Sequence, residues 1–267
     1  MSYWRYWQLE AAPFSGQTPW SLFKGATVEE ALARIDFLVG HRRRLGTLVG
    51  QSGVGKTALL RYFAATPATR EASQNVQFLK TSMLGKAPGE LVVELATRLT
   101  GDRRNDDPTT AWLAVCDYFN AAEREEVQTT LLVDDAESST AGAEADLSRL
   151  LSKSFPLTVI LAIESQLISA VSRTLMEQTE LQIELPAWEL SQTGEFLAWM
   201  SQTLGRKEPI FTDRAIEQIQ QLSGGNPRRI VQLADLALVA GAVSQLDFID
   251  VDCIEQVAWE LPNSNAA

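Results

Sequence analysis

The sequence predicts an α/β domain with a five-stranded parallel sheet flanked by helices, followed by a small all-helical domain. Up to Pro186, short apolar segments of strand length alternate with segments that have the apolar period of an amphipathic helix. This alternation is typical of a parallel sheet covered on both faces. After Pro186 only helix-period segments remain. We expect an N-terminal extension over residues 1–26, an α/β domain over 27–186, a helical domain over 187–260 and a frayed end over 261–267.

The composition is that of an ordinary globular protein. The 267 residues are 45% hydrophobic and 21% charged. No apolar run approaches the length of a membrane-spanning helix, so we expect no membrane span. The first residues lack the basic and apolar regions of a secretory signal. Cys116 and Cys253 are the only cysteines, and we expect two reduced thiols in a cytoplasmic protein.

The charge balance is acidic, with a formal net charge of −11. This argues against non-specific nucleic-acid binding, which depends on neutralising phosphates. The basic run Arg42–Arg44 is the only candidate patch. We expect a solvated helix end there, and a DNA contact is the alternative. The single histidine, His41, leaves no histidine-based metal site or triad to propose.

The N-terminal extension is rich in aromatic residues, whose burial stabilises a fold by several kcal/mol in sum, at about 25 cal/mol per Å². We therefore expect it to pack on the α/β domain. A helix follows, opened by the capping box Thr27-x-x-Glu30. The aromatic residues of the extension are Tyr3, Trp4, Tyr6, Trp7, Phe14, Trp20 and Phe23.

Apolar runs of five to seven residues predict the strands. Between them, helices are expected to start at Pro88, to be capped by Asp107 with Pro108 in first position, and to cover 145–151. The predicted strands are 45–50 (LGTLVG), 76–80 (VQFLK), 129–135 (TTLLVDD), 157–163 (LTVILAI) and 181–185 (LQIEL).

The helical domain is predicted from its start signals. Ser191 is expected to cap its first helix, and the second is expected to start near Asp213. Asn226 is expected at the N-cap of the third, with Pro227 in first position. The last helix is expected to start near Asp250.

A glycine-rich stretch, GQSGVGKT at 50–57, fits the Walker A pattern G-x-x-x-x-G-K-[ST] and lies between a predicted strand and a predicted helix. Such a loop cradles phosphates with backbone amides at a helix N-terminus. Lys56 is placed to reach the β- and γ-phosphates and Thr57 to ligate Mg²⁺. The alternative is a glycine turn that matches by chance. The expected ATP-binding residues here are Gly50, Gln51, Ser52, Gly53, Val54, Gly55, Lys56, Thr57 and Ala58.

Two adjacent acids end the strand segment LLVDD. Ligands of parallel sheets bind at the carboxyl edge of the strands. We expect Asp134 to hold Mg²⁺ through water in the Walker B role, and Asp135 to orient and deprotonate the attacking water. The alternative is that both acids only cap a loop or helix.

With these motifs the chain resembles the AAA+ ATPases of the general-secretion-pathway protein A (ExeA-like) type, which are close to origin-recognition and TniB-like ATPases. The resemblance covers nearly the whole chain. It rests on YWRYWQLEAAPF, EEALARI, GQSGVGKT, LLVDD, TVILAI and SGGNPRRI.

The resemblance implies further roles. Arg228 matches sensor 2, a lid arginine that reaches the γ-phosphate, with Arg229 as the fallback. The alternative for both is a helix N-terminus with exposed arginines. At the sensor 1 position the family has a glutamine and this chain has Glu164, whose carboxylate would repel a phosphate.

Two more positions depart from the family pattern. The second Walker B acid is usually glutamate, whereas Asp135 is one methylene shorter. The arginine that the family offers to a neighbouring subunit corresponds to about Gln178, and Arg173 is the substitute.

Two functions remain open at this stage. The first is an ATP hydrolase whose lid moves and drives a protein partner, and the second is a nucleotide-gated binding protein with weak hydrolysis. The partner is unidentified, and a homo-oligomer is a further option.

Overall fold

The computed structural model describes residues 2–14, 22–66, 75–102 and 107–261. Trp20 and the expected frayed residues 262–267 lie outside the described residues. The chain divides into two compact units. The α/β unit comprises Ala26–Ser52 and Lys56–Leu185, and the helical unit comprises Met1–Gly25, Gly53–Gly55 and Pro186–Ala267.

The α/β unit contains a parallel sheet, and within the described residues it has five strands in the order β2-β3-β4-β1-β5. This confirms the predicted fold class. Every residue of β1 and β3 is buried, and so are the first seven of β4, which explains their continuous apolar runs. The strands are β1 Leu45–Gly50, β2 Val76–Ser82, β3 Gln128–Asp134, β4 Leu157–Glu164 and β5 Leu181–Glu184.

Helices of the α/β unit cover the sheet and bury an apolar core that includes Leu131, Val159 and Phe119. Asp107 caps α5 as predicted, since its carboxylate accepts from the Thr110 N–H, with Pro108 in first position. The helices are α2 Ala26–Gly40, α3 Lys56–Ala65, α4 Glu90–Thr100, α5 Pro108–Arg124, α6 Ala141–Leu151 and α7 Arg173–Glu177.

Three helix starts of the α/β unit differ from the sequence prediction. Helix α2 begins at Ala26, so Thr27 lies inside the helix rather than at its cap. Helix α4 begins two residues after Pro88, because Gly89 precedes it in a left-handed conformation. Helix α6 begins at Ala141, four residues before the predicted start, because the Thr140 hydroxyl caps it by accepting from the Ala143 N–H.

The helical unit contains α1 Tyr3–Tyr6, α8 Leu190–Thr203, α9 Asp213–Ser223, α10 Pro227–Val243 and α11 Val251–Ala258. Asn226 and Asp250 cap α10 and α11 as expected. The prediction that Ser191 caps α8 is wrong. Glu189 caps it through a capping box with Gln192, and Ser191 lies inside the first turn.

The described aromatic residues of the N-terminal segment pack inside the helical unit. Trp7 is 1% exposed, and its indole N–H donates to the Leu238 carbonyl at 2.7 Å. The Tyr3 hydroxyl donates to Asp235 at 2.8 Å, and Phe23 contacts Phe196. The sequence predicted that this segment packs on the α/β domain, and that contact stays a prediction. The buried faces of α8 and α10 provide the apolar surface, and α10 also provides the polar acceptors that Trp7 and Tyr3 require.

Two further sequence expectations concern the whole chain. Every helix within the described residues is too short or too polar to span a bilayer. Cys116 and Cys253 are both free thiols, and burial raises the pKa of each.

Candidate nucleotide-binding site

The glycine-rich loop joins the end of a buried strand to the start of a helix. β1 ends at Gly50 and α3 starts at Lys56. Between them, Gly53 and Gly55 have φ values of 80° and 110°, which glycine adopts without strain. A Cβ added to Gly55 would meet no atom within 4 Å, so the loop leaves open space there. The predicted order of strand, loop and helix is therefore present.

Lys56 lies in the first turn of α3 and reaches back over the loop. Its Nζ donates to the carbonyl oxygens of Gly50 at 2.7 Å and Gln51 at 3.0 Å. Thr57 follows, half-buried, in the same turn. The ammonium and the hydroxyl are thus both at the positive N-terminal end of a helix, where phosphate oxygens are stabilised.

The parallel sheet brings the predicted acids to the same edge as this loop. β3 and β1 both pair with β4, and all three run in one direction. Asp134 therefore ends its strand at the carboxyl edge, where Gly50 ends β1.

Asp134 is 4% exposed and is paired with a lysine that the sequence analysis did not single out. The Nζ of Lys80 lies 3.1 Å from Asp134 Oδ2. Lys80 belongs to the neighbouring strand β2. A carboxylate this buried requires such a partner.

Asp135 follows in a left-handed conformation with φ 53° and ψ 42°. Its Oδ2 accepts a hydrogen bond from the Ser82 hydroxyl at 2.7 Å. Ser82 is the last residue of β2 and pairs in register with Asp134. Together, the bond and the backbone conformation fix the direction of the carboxylate.

The turn after the two acids contacts the predicted sensor 1 position. The Oε2 of Glu137 accepts from the backbone N–H of Glu164 at 3.2 Å. Glu164 ends β4 and pairs in register with Gly50 of the loop. Glu137 has no role in the sequence prediction, although it stands two residues after the acidic pair.

Arg228 and Arg229 lie in the first turn of helix α10, and their backbone N–H groups donate to the Asn226 side chain at 3.1 and 3.4 Å. Within the same unit, the Arg228 N–H also donates to the Gly53 carbonyl at 3.3 Å. A Cβ at Gly53 would approach Arg228 Cβ to 2.9 Å and Asn226 Oδ1 to 2.7 Å. Any residue larger than glycine at position 53 would therefore force Asn226 or Arg228 to move.

The two positions considered for an arginine finger lie in and after the short helix α7. Arg173 is 91% exposed, and its Nε contacts the Glu177 carboxylate at 2.6 Å. Gln178 directly follows α7 as its C-cap and is exposed.

The basic run contributes to the structure at two of its three positions. Arg43 contacts Glu180 at 3.3 Å. Arg44 donates to the Leu151 and Lys153 carbonyl oxygens. Arg42 is exposed, as expected for a solvated helix end.

Comparison with known proteins identifies part of this chain. The family model described as an AAA domain matches residues 39–171. The matched residues are thus similar to an AAA domain. They include the loop, both acids, Lys80 and Ser82. No curated protein matches the sequence.

Solved structures share the fold of this chain. The Aeropyrum pernix ORC2 protein, in ADPNP–ADP complexes, is 16% identical over 91% of this chain and 69% of its own, with a TM-score of 0.67. Cdc6p from Pyrobaculum aerophilum is 15% identical over 87% and 66%, with a TM-score of 0.68. The Thermotoga maritima RuvB Holliday junction branch migration motor is 19% identical over 91% and 72%, with a TM-score of 0.61. At these identities the likeness concerns the fold.

Proposed function

We propose that this chain is an AAA+ ATPase that binds Mg-ATP and hydrolyses it to drive or gate a conformational change on a protein partner. The observation that carries the proposal is the loop Gly50–Ala58, which holds the Lys56 ammonium between a buried strand and a helix N-terminus. The ADPNP–ADP complexes of the ORC2 structure support the choice of an adenine nucleotide.

The residues present fit a nucleotide-bound Mg²⁺ rather than a metal held by protein ligands alone. The described residues contain no group of three or more His, Cys, Asp or Glu side chains able to hold a metal. Mg²⁺ is usually held by one or two protein ligands together with phosphates and water, and it neutralises charge on the transferring phosphoryl group. Thr57 and Asp134 would be its protein ligands.

The chain's own groups then divide the work of hydrolysis. Lys56 holds the phosphates, and Asp135 orients a water and accepts its proton. For Asp135 to act, its carboxylate must release the Ser82 hydroxyl or share it with that water. Arg228 would contact the γ-phosphate from helix α10. Such positioned charges stabilise the transition state because they need no reorganisation.

A second candidate function is a nucleotide-gated binding protein with slow hydrolysis. The two positions considered for an arginine finger, at the start of α7 and just after its end, favour this second function. Gln178 is uncharged, and the Arg173 guanidinium is engaged by Glu177 on its own helix.

The subgroup that we propose, ExeA-like, rests on the aromatic segment at 3–14 and on SGGNPRRI. The two free thiols support a reducing compartment such as the cytoplasm.

Nucleotide binding is tested by thermal unfolding with and without millimolar Mg-ATP. At about 100 times the Kd, a ligand stabilises the native state by about 2.7 kcal/mol. For a protein of this size we expect a melting temperature about 5–11 °C higher. The shift should disappear in Lys56→Ala and persist in Lys207→Ala, which removes an exposed lysine outside the loop. Absence of a shift in the unchanged protein would sink the proposal.

A further inference from the structure

Lys80 is the cation that the fold places at the proposed metal ligand. It lies on β2, two residues before Ser82, and Ser82 pairs in register with Asp134. Side chains at paired positions of neighbouring strands share a face, as do side chains two residues apart on one strand. Lys80 and Asp134 therefore lie on one face of the sheet, with Nζ and Oδ2 3.1 Å apart.

This ion pair is largely removed from solvent. The Asp134 side chain is 5% exposed and that of Lys80 is 24% exposed. The backbone of Lys80 is also held, because Arg98 on α4 donates to its carbonyl oxygen and at the same time pairs with Glu94 at 2.9 Å. The strand that carries Lys80 is thus anchored next to α4, and the ammonium lies 3.1 Å from the carboxylate.

We propose that Lys80 is a positioning residue that sets the magnesium dependence of the site by holding Asp134 as an internal counter-ion. The inference rests on the proposed function. A divalent cation that uses Asp134 must either displace the Lys80 ammonium or bind close to a like charge. Lys80 and the metal therefore weaken each other's interaction with Asp134, and the coupling is reciprocal. With Lys80 present, Asp134 is paired in the metal-free site, and a higher concentration of free divalent cation is needed for metal binding.

The inference is tested by titrating Mn²⁺, as a paramagnetic substitute for Mg²⁺, into the full chain, with free Mn²⁺ measured by electron paramagnetic resonance. Each titration is run on protein alone and on protein with saturating ADP. The variants are Lys80→Met, which removes the charge and keeps an apolar side chain of similar length, and Lys80→Arg, which keeps the charge. Lys86→Met is the matched control, because Lys86 is a similarly shielded lysine paired with Glu94 at 2.6 Å and not with Asp134.

We expect the Mn²⁺ concentration at half-saturation to fall about fivefold or more in Lys80→Met, the low end of ordinary coupling between ligand sites. It should change less than about twofold in Lys80→Arg and in Lys86→Met, both below that range. Equal half-saturation in Lys80→Met and the unchanged protein would overturn the inference. If Lys80 had a merely structural role, Lys80→Met would lower thermal stability without changing the Mn²⁺ concentration at half-saturation.

The same idea can be tested without a substitution, in case Lys80→Met does not fold. If a divalent cation draws Asp134 away from Lys80, the freed amine should acetylate about fivefold faster with Mg²⁺, by the same coupling. Mass spectrometry would follow Lys80, with Lys86 as the internal control. An unchanged Lys80 rate at saturating Mg²⁺ would contradict the inference. Both measurements are made with ADP bound, so equal values with and without Lys80, or with and without Mg²⁺, count against this inference, whereas failure of ADP to bind counts against the proposed function instead.

Discussion

Each of the three acids in and next to β3 that surround the proposed site already has a partner within the chain. Asp134 is paired with Lys80, Asp135 accepts from Ser82, and Glu137 accepts from the backbone of Glu164. Buried or half-buried carboxylates are costly without such partners. Ligand binding at this site is therefore an exchange of partners rather than the filling of unsatisfied groups.

Asp135→Asn should separate nucleotide binding from hydrolysis. The amide can still accept from Ser82, and the proposed metal ligand Asp134 is kept, but the proposed base is lost. We expect the thermal shift with Mg-ATP to survive while turnover falls by roughly 10²–10⁴-fold. Phosphate release and melting temperature, measured on one preparation, would show the separation. Unchanged hydrolysis would place the base elsewhere, with Glu164 the next candidate.

At the scale of single residues, the site residues that are adjacent in the chain were predictable, and those that meet across neighbouring strands were not. Lys56 and Thr57 belong to a local pattern whose strand and helix could be read directly. The partners Lys80 and Ser82 are more than fifty residues from the acids that they contact. Their contacts depend on the pairing of β2 with β3 in one register, which no local pattern specifies.

A carboxylate of helix α4, that of Glu94, helps to hold the helix to β2. Glu94 accepts from the Thr81 hydroxyl at 2.7 Å and pairs with Lys86 at 2.6 Å and Arg98 at 2.9 Å. Burial alone would raise its pKa, but the bonds from Lys86, Thr81 and Arg98 together outweigh burial and lower it. The ionised form is therefore the one that the folded state stabilises.

Glu94→Gln should reduce the acid sensitivity of the α/β unit. Since the folded pKa is below the unfolded value, the stabilisation is complete above about pH 4.3, the ordinary glutamate pKa. It is lost as the pH falls through the folded pKa. We expect Glu94→Gln to cost about 1 kcal/mol at pH 7, because the ion pairs are partly hydrated.

Melting temperatures between pH 7 and pH 3.5 would check this effect. The decrease on acidification should be smaller in Glu94→Gln than in the unchanged protein. Glu123→Gln, which changes an exposed glutamate on α5, should behave like the unchanged protein. An equal acid-induced decrease in both variants would show that Glu94 is not the group responsible.

The N-terminal segment supplies a core side chain to the helical unit. Trp7 is buried against α10, donates to Leu238 and lies 5.7 Å from the Arg206 guanidinium. We expect Trp7→Ala to destabilise this unit by about 3–5 kcal/mol, the usual cost of a buried aromatic residue. Urea unfolding followed by circular dichroism would measure it. Trp259→Ala, at a position 91% exposed, is the matched control and should cost little. Equal effects of the two substitutions would contradict the packing described here.

The elements themselves were predictable wherever one start signal dominated. Asp107, Asn226 and Asp250 each stand directly before a helix and have no better competitor nearby. The start of α8 was placed wrongly, because Ser191 is a stronger cap by residue type than Glu189. A capping box with Gln192 decides the choice, and that depends on side-chain geometry.

At the scale of the whole molecule, we expect hydrolysis by the isolated chain to be slow. Arginine fingers contribute about 10³–10⁵ in rate, and Gln178 is uncharged at the position where the resemblance expects one. Turnover should therefore lie well below the common enzyme range of about 1–10³ s⁻¹. Phosphate release measured over a range of protein concentrations would check both the rate and its independence of assembly.

Arg173 decides between two explanations of any faster rate. If it acts on a neighbouring copy, activity will rise with protein concentration, and Arg173→Ala will abolish the rise. Stimulation by cell extract would instead indicate a partner that supplies the arginine. A fast rate that does not depend on concentration would defeat the prediction, because no finger would then be needed.

The helical unit combines the first residues of the chain with its last part, and this has a consequence for biosynthesis. Trp7 and its acceptor Leu238 are 231 positions apart, and ribosomes add about 5–20 residues per second. The aromatic segment therefore waits about 10–50 s for the helix that buries it. All strands and helices of the α/β unit leave the ribosome before that helix does. During this interval the nascent chain exposes several large aromatic side chains, which makes it a substrate for chaperones that bind apolar segments during translation.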